Sequence, residues 1–144
     1  MKLSTRGRYG LRAMIDIARA SRENEPVSIA SIAASQGLSE GYLEQIMTGL
    51  KKAGLVRSSK GAKGGYTLGK SPGEITVGEI IRTLEGDMAP VDCVSQAKKG
   101  ICDRADLCVT RIIWEEVRDA INQVLDKYSL LDLLENEQKL LKER

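Results

Sequence analysis

The chain has 144 residues, of which 42% are hydrophobic, and it contains three cysteines but no phenylalanine and no histidine. This length predicts one compact unit, with or without an extension, and the odd number of cysteines argues against a closed disulfide framework. The first residues lack the apolar segment of a secretory signal, and no apolar run approaches the roughly 18 residues that span a bilayer. We therefore expect a soluble cytoplasmic protein with reduced thiols and no membrane partner.

Charge is distributed unevenly along the chain. Residues 1–70 hold 12 Lys and Arg against 5 Asp and Glu, a net +7, whereas residues 71–144 hold 10 against 15, a net −5. A basic half followed by an acidic half indicates that the first half meets a polyanion. The alternative is that these basic side chains only solvate the surface.

The first predicted helix covers residues 5–21. Its apolar residues Leu11, Met14, Ile15 and Ala18 recur at helical spacing. Pro26 ends this helical region, because a proline disfavours helical backbone at the residue before it.

Two short helices follow, with a tight turn between them. Ser28 is a cap residue for a helix over 29–36, Gly37 suits the left-handed conformation that ends a helix, and Ser39 caps the next helix. This arrangement predicts a helix-turn-helix, whose second helix can lie in the major groove of DNA.

A β-hairpin is predicted directly after the second of these helices. Residues 55–58 and 66–68 are β-prone runs that flank a loop rich in glycine and lysine. A hairpin at this position is a wing, whose glycines let the backbone approach a phosphate while Lys60 and Lys63 supply charge.

The C-terminal half is predicted to be helical around a segment that carries the cysteines. Thr76 and Glu79 form a capping box that opens a helix ending near Glu85, and residues 86–110 are rich in turn formers. An apolar stripe over 110–128 predicts a long helix that packs against another helix, and Ser129 caps a last one. The predicted division is a winged helix-turn-helix domain over 1–72 and a cysteine-bearing helical region over 73–144.

Several residues are expected to contact DNA. Gln45 can pair with adenine and Glu44 can accept from cytosine N4, although Glu44 can equally pair with a nearby lysine. The ring of Tyr42 is as suited to the core as to DNA. The full set of expected DNA contacts is Lys2, Arg6, Ser28, Ser39, Glu40, Gly41, Tyr42, Glu44, Gln45, Lys51, Arg57, Lys60, Lys63 and Gly64.

The cysteines are the second candidate site. Cys93, Cys102 and Cys108 are separated by eight and then five residues, which is not the close pairing of structural zinc sites. Thiolates at wide spacing suit an iron–sulfur cluster, which is larger than a single ion. The alternative is three unrelated small buried side chains.

The chain resembles the IscR-type regulators, which are winged-helix iron–sulfur transcription factors. The resemblance is carried by three cysteines before a Trp-bearing helix and by the motifs at 3–10, 41–45, 54–56, 64–70 and 77–80. It implies a DNA-binding regulator of cluster-assembly genes that acts on promoter DNA as a homodimer through the helix over 110–128. It also implies a [2Fe–2S] cluster on Cys93, Cys102 and Cys108, and a role for Glu44 in promoter choice.

The chain departs from this family pattern at the fourth cluster ligand. The family's usual histidine corresponds here to Arg111, and the acid that a nitric-oxide-sensing relative uses corresponds to Arg8. The fourth ligand is therefore open among a hydroxyl, an exogenous thiol, water and a carboxylate, and a [4Fe–4S] cluster also stays open. The candidate carboxylates are Asp92, Asp103, Asp106 and Glu44.

Other functions are weighed against cluster sensing. Within the same family, the chain could be a repressor that senses nitric oxide or thiol redox state. In a different class, it could be a cluster-free regulator of cysteine metabolism that acts through a protein partner. An enzyme or electron carrier is disfavoured, because the sequence has no GxGxxG, no P-loop and no nucleophile–base pair, so no small-molecule substrate is expected.

Overall fold

A computed structural model describes residues 2–97, 104 and 106–144. Within these residues the chain forms six α-helices and one two-stranded antiparallel sheet, which confirms a mainly helical fold with a small hairpin. The helices are α1 (Thr5–Ser21), α2 (Ile29–Gln36), α3 (Glu40–Lys52), α4 (Val77–Glu85), α5 (Val109–Lys127) and α6 (Leu130–Lys142). The strands are β1 (Val56–Ser59) and β2 (Gly65–Leu68), and single 3₁₀ turns form at Pro72–Glu74 and Asp92–Val94.

The predicted helix-turn-helix forms because its local signals are satisfied. The Ser28 hydroxyl accepts from the Ser31 N–H at 3.1 Å, and the Ser39 hydroxyl accepts from the Tyr42 N–H at 3.2 Å. Gly37, between the two helices, has φ +66°, the left-handed conformation that glycine adopts without steric cost. These caps fix where α2 ends and where α3 begins.

The hairpin β1–β2 joins the helical body through a β-bridge and through Val56, Tyr66 and Leu68, which pack in or against the core. Val27 and Tyr66 exchange two backbone hydrogen bonds, of 3.0 and 2.8 Å. A Cβ at Gly65 would lie 2.4 Å from the Val27 carbonyl oxygen, and one at Gly64 would lie 2.5 Å from that of Ser59. Close backbone approach inside the protein therefore already requires glycine at both positions, independently of any phosphate.

One hydrophobic core joins residues from both ends of the chain. Met14 of α1 and Leu43 of α3 share it with Ile80 of α4 and Leu130 of α6, and all four are fully buried. Helix α3 therefore packs against α4 from the C-terminal half as well as against α1 and α2.

Helices α1 and α4 pack closely because α1 carries glycines at their contact. A Cβ at Gly10 would lie 2.1 Å from Leu84 Cδ1, and one at Gly7 would lie 2.4 Å from Glu85 Oε1. The same Glu85 oxygen accepts from the Ser4 N–H at 2.5 Å and from the Ser4 hydroxyl. The contact between α1 and α4 thus explains the presence of Ser4, Gly7 and Gly10 in the motif at 3–10.

Helix α5 lies at the edge of the molecule and has no buried residue. Its inner side packs Ile121 and Leu125 against a small cluster that includes Ile81 and Met88. The predicted apolar stripe, which also includes Ile121, is therefore divided: Ile121 packs inward, whereas the rest of the stripe faces outward. Its exposed members are Ile113, Val117, Val124 and Tyr128. Among the described residues, no helix is both long enough and apolar enough to cross a membrane.

Candidate nucleic-acid interface and cysteine segment

Helix α3 presents a polar face to solvent. Leu43, Ile46, Met47 and Leu50 bury its opposite face completely, which fixes the rotation of the helix about its own axis. The exposed residues expected to contact DNA are Glu40, Gly41, Glu44, Gln45 and Lys51.

The side chains of Glu44 and Gln45 are available for a ligand. Neither has a hydrogen-bond or ion-pair partner within the described part of the chain, so the alternative of a Glu44–lysine pair is not what the structure contains. Gly41 lies on the same face of α3, and a Cβ there would meet no atom from elsewhere in the described chain within 4 Å. Contacts within the described chain therefore do not require glycine at this position.

Two exposed residues extend this polar face beyond the predicted set. Thr48 and Lys52 are exposed, and the Thr48 hydroxyl donates to the Glu44 carbonyl oxygen at 2.7 Å. Thr48 follows Glu44 by four residues and Lys52 follows Gln45 by seven, so helical spacing alone would have predicted that they share this face.

The ring of Tyr42 is half-buried and packs against the core, and its contact with DNA stays a prediction. The hydroxyl oxygens of Ser28 and Ser39 accept the capping hydrogen bonds of α2 and α3. The O–H of each serine and the backbone N–H groups of the first helical turns are the donors that these two positions offer to an anion.

The expected phosphate contacts are exposed cations. Arg6 lies over α3, where its Nη2 is 3.4 Å from the position a Cβ would take at Gly49. The six cations of the predicted set are all exposed and have no ion-pair partner among the described residues; they are Lys2, Arg6, Lys51, Arg57, Lys60 and Lys63. Cations that no carboxylate neutralises produce the positive potential that attracts a polyanion.

The structure describes two of the three cysteines. Cys93 lies in the 3₁₀ turn Asp92–Val94 and Cys108 is the N-cap residue of α5; both are half-buried free thiols, and Cys102 lies outside the described residues. The Thr110 hydroxyl, 3.1 Å from the Cys108 sulfur, lowers the pKa of that thiol, and the backbone N–H of Arg111 adds to the effect. A lowered pKa favours the thiolate, the form that binds metals.

The first part of the cysteine segment is held in place, which the sequence did not indicate. Val94 and Ser95 are buried, and the Ser95 hydroxyl donates to Asp87 Oδ2 at 2.6 Å. From α5, Arg118 Nη1 donates to the Val94 carbonyl oxygen at 3.0 Å. The two residues that directly follow Cys93 are thus bonded to the body of the protein.

Of the four candidate carboxylates for the fourth ligand, Asp92 adjoins Cys93 in the turn Asp92–Val94, but the candidates do not gather into a metal site within the described residues. No group of three or more Cys, Asp or Glu side chains able to hold a metal ion forms within residues 2–97, 104 and 106–144. Asp103 lies outside these residues, Asp106 is exposed, and Glu44 is on the outer face of α3. Arg111 Nε is 3.1 Å from Glu115 Oε1, although its N–H does not point at that oxygen, so the two form an ion pair without a hydrogen bond.

Comparison with known proteins agrees with this geometry. Residues 3–136 match the family model Rrf2, described as an iron-dependent transcriptional regulator. The chain is 46% identical to the transcriptional regulator CymR of Bacillus subtilis over 92% of this chain and 89% of that protein. It is 39% identical to the regulator IscR of Cronobacter sakazakii over 97% of this chain and 84% of that protein.

Solved structures extend the comparison to the fold. IscR of T. potens superposes with a TM-score of 0.79 at 45% identity, covering 97% of this chain and 90% of that one. The structure described as CymR, the global cysteine regulator of B. subtilis, superposes with a TM-score of 0.76, covering 92% of this chain and 95% of that one.

The helix-turn-helix, the basic hairpin and these matches define a winged-helix DNA-binding regulator rather than an enzyme. The chain belongs to the Rrf2 family of transcriptional regulators. Relatives named CymR and relatives named IscR both occur within it at similar identity.

Proposed function

We propose that the chain is a dimeric regulator that binds promoter DNA and changes its binding with the state of Cys93, Cys102 and Cys108. The observation that carries the proposal is the outer face of α3, where Glu44 and Gln45 have no partner in the described protein and Gly41 faces open space. The proposal assigns the protein to the cytoplasm, where its promoters and reduced thiols are found together.

The proposed DNA contacts divide into two kinds. Gln45 and Glu44 read base edges in the major groove, Gln45 by a bidentate contact to adenine and Glu44 by accepting from cytosine N4. The contacts that position the protein on the phosphates come from cations and from helix N-termini. These positioning groups are Lys2, Arg6, Lys51, Lys52, Arg57, Lys60, Lys63 and the first turns after Ser28 and Ser39.

The proposed dimer forms through α5. The side chain of Ile113 is 52% exposed and that of Val124 is 57% exposed, and both belong to one stripe at helical spacing. An apolar stripe on a helix that buries no residue of its own is suited to packing against a second copy, which would also place two recognition helices on one duplex.

The donor chemistry of the cysteine segment fits an iron–sulfur cluster. Three soft thiolates are available in one segment, and Thr110 and the N–H of Arg111 favour the thiolate form of Cys108. Cys93, Cys102 and Cys108 would hold the cluster, a [2Fe–2S] group in this proposal, and the fourth ligand would be an oxygen or an exogenous thiol. When bound, a cluster supplies a group that responds to iron supply, oxygen and redox state.

Anaerobic reconstitution tests the cofactor directly. Purified protein is incubated with ferrous iron and sulfide under reducing conditions, and visible absorbance and Mössbauer spectra are recorded beside those of a variant with all three cysteines changed to serine. A cluster spectrum in the wild type that is absent from the variant supports the proposal, and the Mössbauer parameters decide between [2Fe–2S] and [4Fe–4S]. No iron–sulfur spectrum in protein with intact cysteines would contradict it.

A second candidate function is a cluster-free regulator of cysteine metabolism. Two observations favour it: Arg111 stands where the IscR-type pattern has a histidine, and the B. subtilis relative at 46% identity is described as a global cysteine regulator. In that case metal-free protein binds its promoters fully, and its binding responds to a protein partner or to thiol oxidation. Binding assays on metal-free protein, with and without peroxide or a nitric oxide donor, separate these alternatives from cluster control.

A further inference from the structure

Asp87 organises the chain just after Cys93. One of its carboxylate oxygens, Oδ2, accepts from the Ser95 hydroxyl at 2.6 Å and from the Gln96 N–H at 2.7 Å, while Oδ1 accepts from the Ala89 N–H at 3.2 Å. The Ser95 oxygen in turn accepts from the Ala97 N–H at 3.2 Å. One side chain, two residues beyond the end of α4, thus binds the segment on both sides of Cys93.

Arg118 holds the same turn from the opposite side. Its Nη1 donates to the Val94 carbonyl oxygen at 3.0 Å, and its Nε donates to Asp119 Oδ1 at 2.9 Å, which orients the guanidinium along α5. The Arg118 side chain is only 19% exposed, so this bond is partly shielded from water. A charge-assisted hydrogen bond of this kind is among the stronger ones a protein makes.

Burial makes the two attachments act together. Val94 is 2% exposed and Ser95 is 9% exposed, although they lie in a short turn of a segment rich in turn formers. A buried hydroxyl or carbonyl that loses its partner carries a desolvation cost, so the Asp87 and Arg118 bonds are expected to break together with the burial of Val94 and Ser95. The half-buried Cys93 directly precedes Val94 and Ser95 in the chain, so a displacement of these two residues is expected to displace Cys93.

We propose that Asp87 and Arg118 are positioning residues for Cys93: together they hold its thiol at a fixed place between α4 and α5. The proposal rests on the proposed function in taking Cys93 as the responsive thiol. It adds a direct link from that thiol to the middle of α5, the helix proposed to form the dimer. The alternative is that the two side chains only stabilise the loop and leave the thiol unaffected.

The test measures the reactivity of each cysteine separately in metal-free protein. Trypsin is expected to place the three cysteines in different peptides, residues 83–98, 100–104 and 105–111. Isotope-coded alkylation followed by mass spectrometry therefore gives a rate for Cys93 alone, with the rates of the other two cysteines as internal references. Thermal unfolding of each variant is recorded beside it.

The variants are chosen in matched pairs. Ser95→Ala and Arg118→Leu remove the two attachments, while Ser95→Thr and Arg118→Lys keep a hydroxyl and a cationic donor. The control is Arg82→Leu, because Arg82 also joins α4 to α5, through Asp126 at 2.6 Å and Asn122 at 3.1 Å, and holds neither Val94 nor Ser95 by a hydrogen bond.

We expect Ser95→Ala and Arg118→Leu to raise the alkylation rate of Cys93 by about fivefold or more, the opening that loss of one hydrogen bond produces. The conservative variants should restore most of the wild-type rate, and Arg82→Leu should leave the rate unchanged. Equal Cys93 rates in wild type, Ser95→Ala and Arg118→Leu would overturn the proposal, as would an equal increase in Arg82→Leu. If Arg118→Leu does not fold, the comparison of Ser95→Ala with Ser95→Thr tests the proposal in the same way.

Cluster reconstitution separates this proposal from the proposed function. If wild-type protein takes up a cluster, its visible circular dichroism should change in Ser95→Ala and recover in Ser95→Thr; an identical spectrum in all three would contradict positioning of the ligand. If wild-type protein takes up no cluster, the cofactor assignment fails, while the alkylation rates still decide whether Asp87 and Arg118 position the thiol.

Discussion

Arg19 of α1 and Glu137 of α6 form a two-pronged ion pair: Arg19 Nη2 donates to Glu137 Oε1 at 2.5 Å and Arg19 Nε donates to Glu137 Oε2 at 3.1 Å. Arg19 also pairs with Asp16 at 3.0 Å, and Asp16 accepts from Gln36 of α2 at 2.9 Å. The last helix of the chain is thereby tied to the first two, on the domain that carries the proposed DNA-binding face.

This pair predicts a pH-dependent contribution to stability. The hydrogen bond from Arg19 lowers the pKa of Glu137 below its ordinary 4.5, with a smaller effect from Arg22, and Asp16 is the other acid facing Arg19. Because the folded-state pKa is the lower one, the stabilisation is present above pH 4.5 and is lost as the pH falls through the folded value. Glu137→Gln should lower the free energy of unfolding at neutral pH by about 0.5–1 kcal/mol.

Urea denaturation at neutral pH and at about pH 3 checks this prediction. The difference between wild type and Glu137→Gln should shrink in acid. Glu135→Gln is the matched control, since Glu135 lies exposed on the same helix and has no ion-pair partner in the described chain. An equal difference at both pH values would show that the charge of Glu137 is not what stabilises the protein.

Gly41 offers a test that separates DNA binding from folding. A methyl group there meets no atom from elsewhere in the described residues within 4 Å, so Gly41→Ala should fold with unchanged or slightly higher stability, as expected for alanine in a helix. If α3 approaches DNA closely at this point, the same methyl group should weaken binding by about 1–3 kcal/mol. Fluorescence anisotropy measures the affinity and thermal unfolding measures the stability.

Gly73→Ala is the control for this substitution. A Cβ at Gly73 would make an ordinary contact of 3.7 Å with Leu131, away from the helix-turn-helix. It should alter neither stability nor affinity by much. Wild-type affinity in Gly41→Ala would place that part of α3 away from the DNA.

Lys63 in the hairpin is predicted to contact a phosphate rather than a base. Lys63→Ala should weaken binding to all DNA sequences alike and reduce the slope of log K against log salt concentration by about one. Lys70→Ala serves as the control, because Lys70 is paired with Glu79 at 3.0 Å. Salt titrations of binding to a promoter fragment and to unrelated DNA give both slopes, and an unchanged slope for Lys63→Ala would remove the hairpin from the interface.

The exposed stripe of α5 is predicted to be the dimer contact. Ile113→Glu places a charge in the middle of an apolar surface and should convert a dimer to a monomer without unfolding it, since Ile113 is 52% exposed and belongs to neither hydrophobic cluster of the described residues. Gln123→Glu adds the same charge on another face of the helix and should stay dimeric. Sedimentation equilibrium decides, and a dimeric Ile113→Glu variant would rule out this stripe.

The parts of the fold that could be predicted from the sequence are those with local signals. The caps at Ser28 and Ser39, the left-handed Gly37 and the capping box at Thr76 each depend on residues three or four positions away. The contact of Ser4 with Glu85 has no such signal, because the partners are 81 positions apart and neither belongs to a periodic pattern.

The residues missed at the candidate sites are of two kinds, those with a local signal in the sequence and those without one. Thr48 and Lys52 follow from helical spacing and were within reach of the sequence, whereas the bond from Arg118 to the Val94 carbonyl depends on how α5 is laid against the segment before it. Polar residues and turn formers at 86–110 indicated a loop, and burial of Val94 and Ser95 came only from tertiary packing.

The most direct test of the account compares DNA affinity of one protein preparation in two states of its cysteines. Duplexes enriched from a random library by the protein are labelled, and anisotropy is recorded for metal-free and anaerobically reconstituted protein at one salt concentration, with the triple cysteine-to-serine variant beside them. We expect the affinity or the preferred sequence of the wild type to change by about tenfold or more between the two states, equivalent to roughly 1.4 kcal/mol, and the variant to show no change. Equal affinity and equal sequence preference in both states of a protein that has demonstrably taken up a cluster would contradict control by the cysteines.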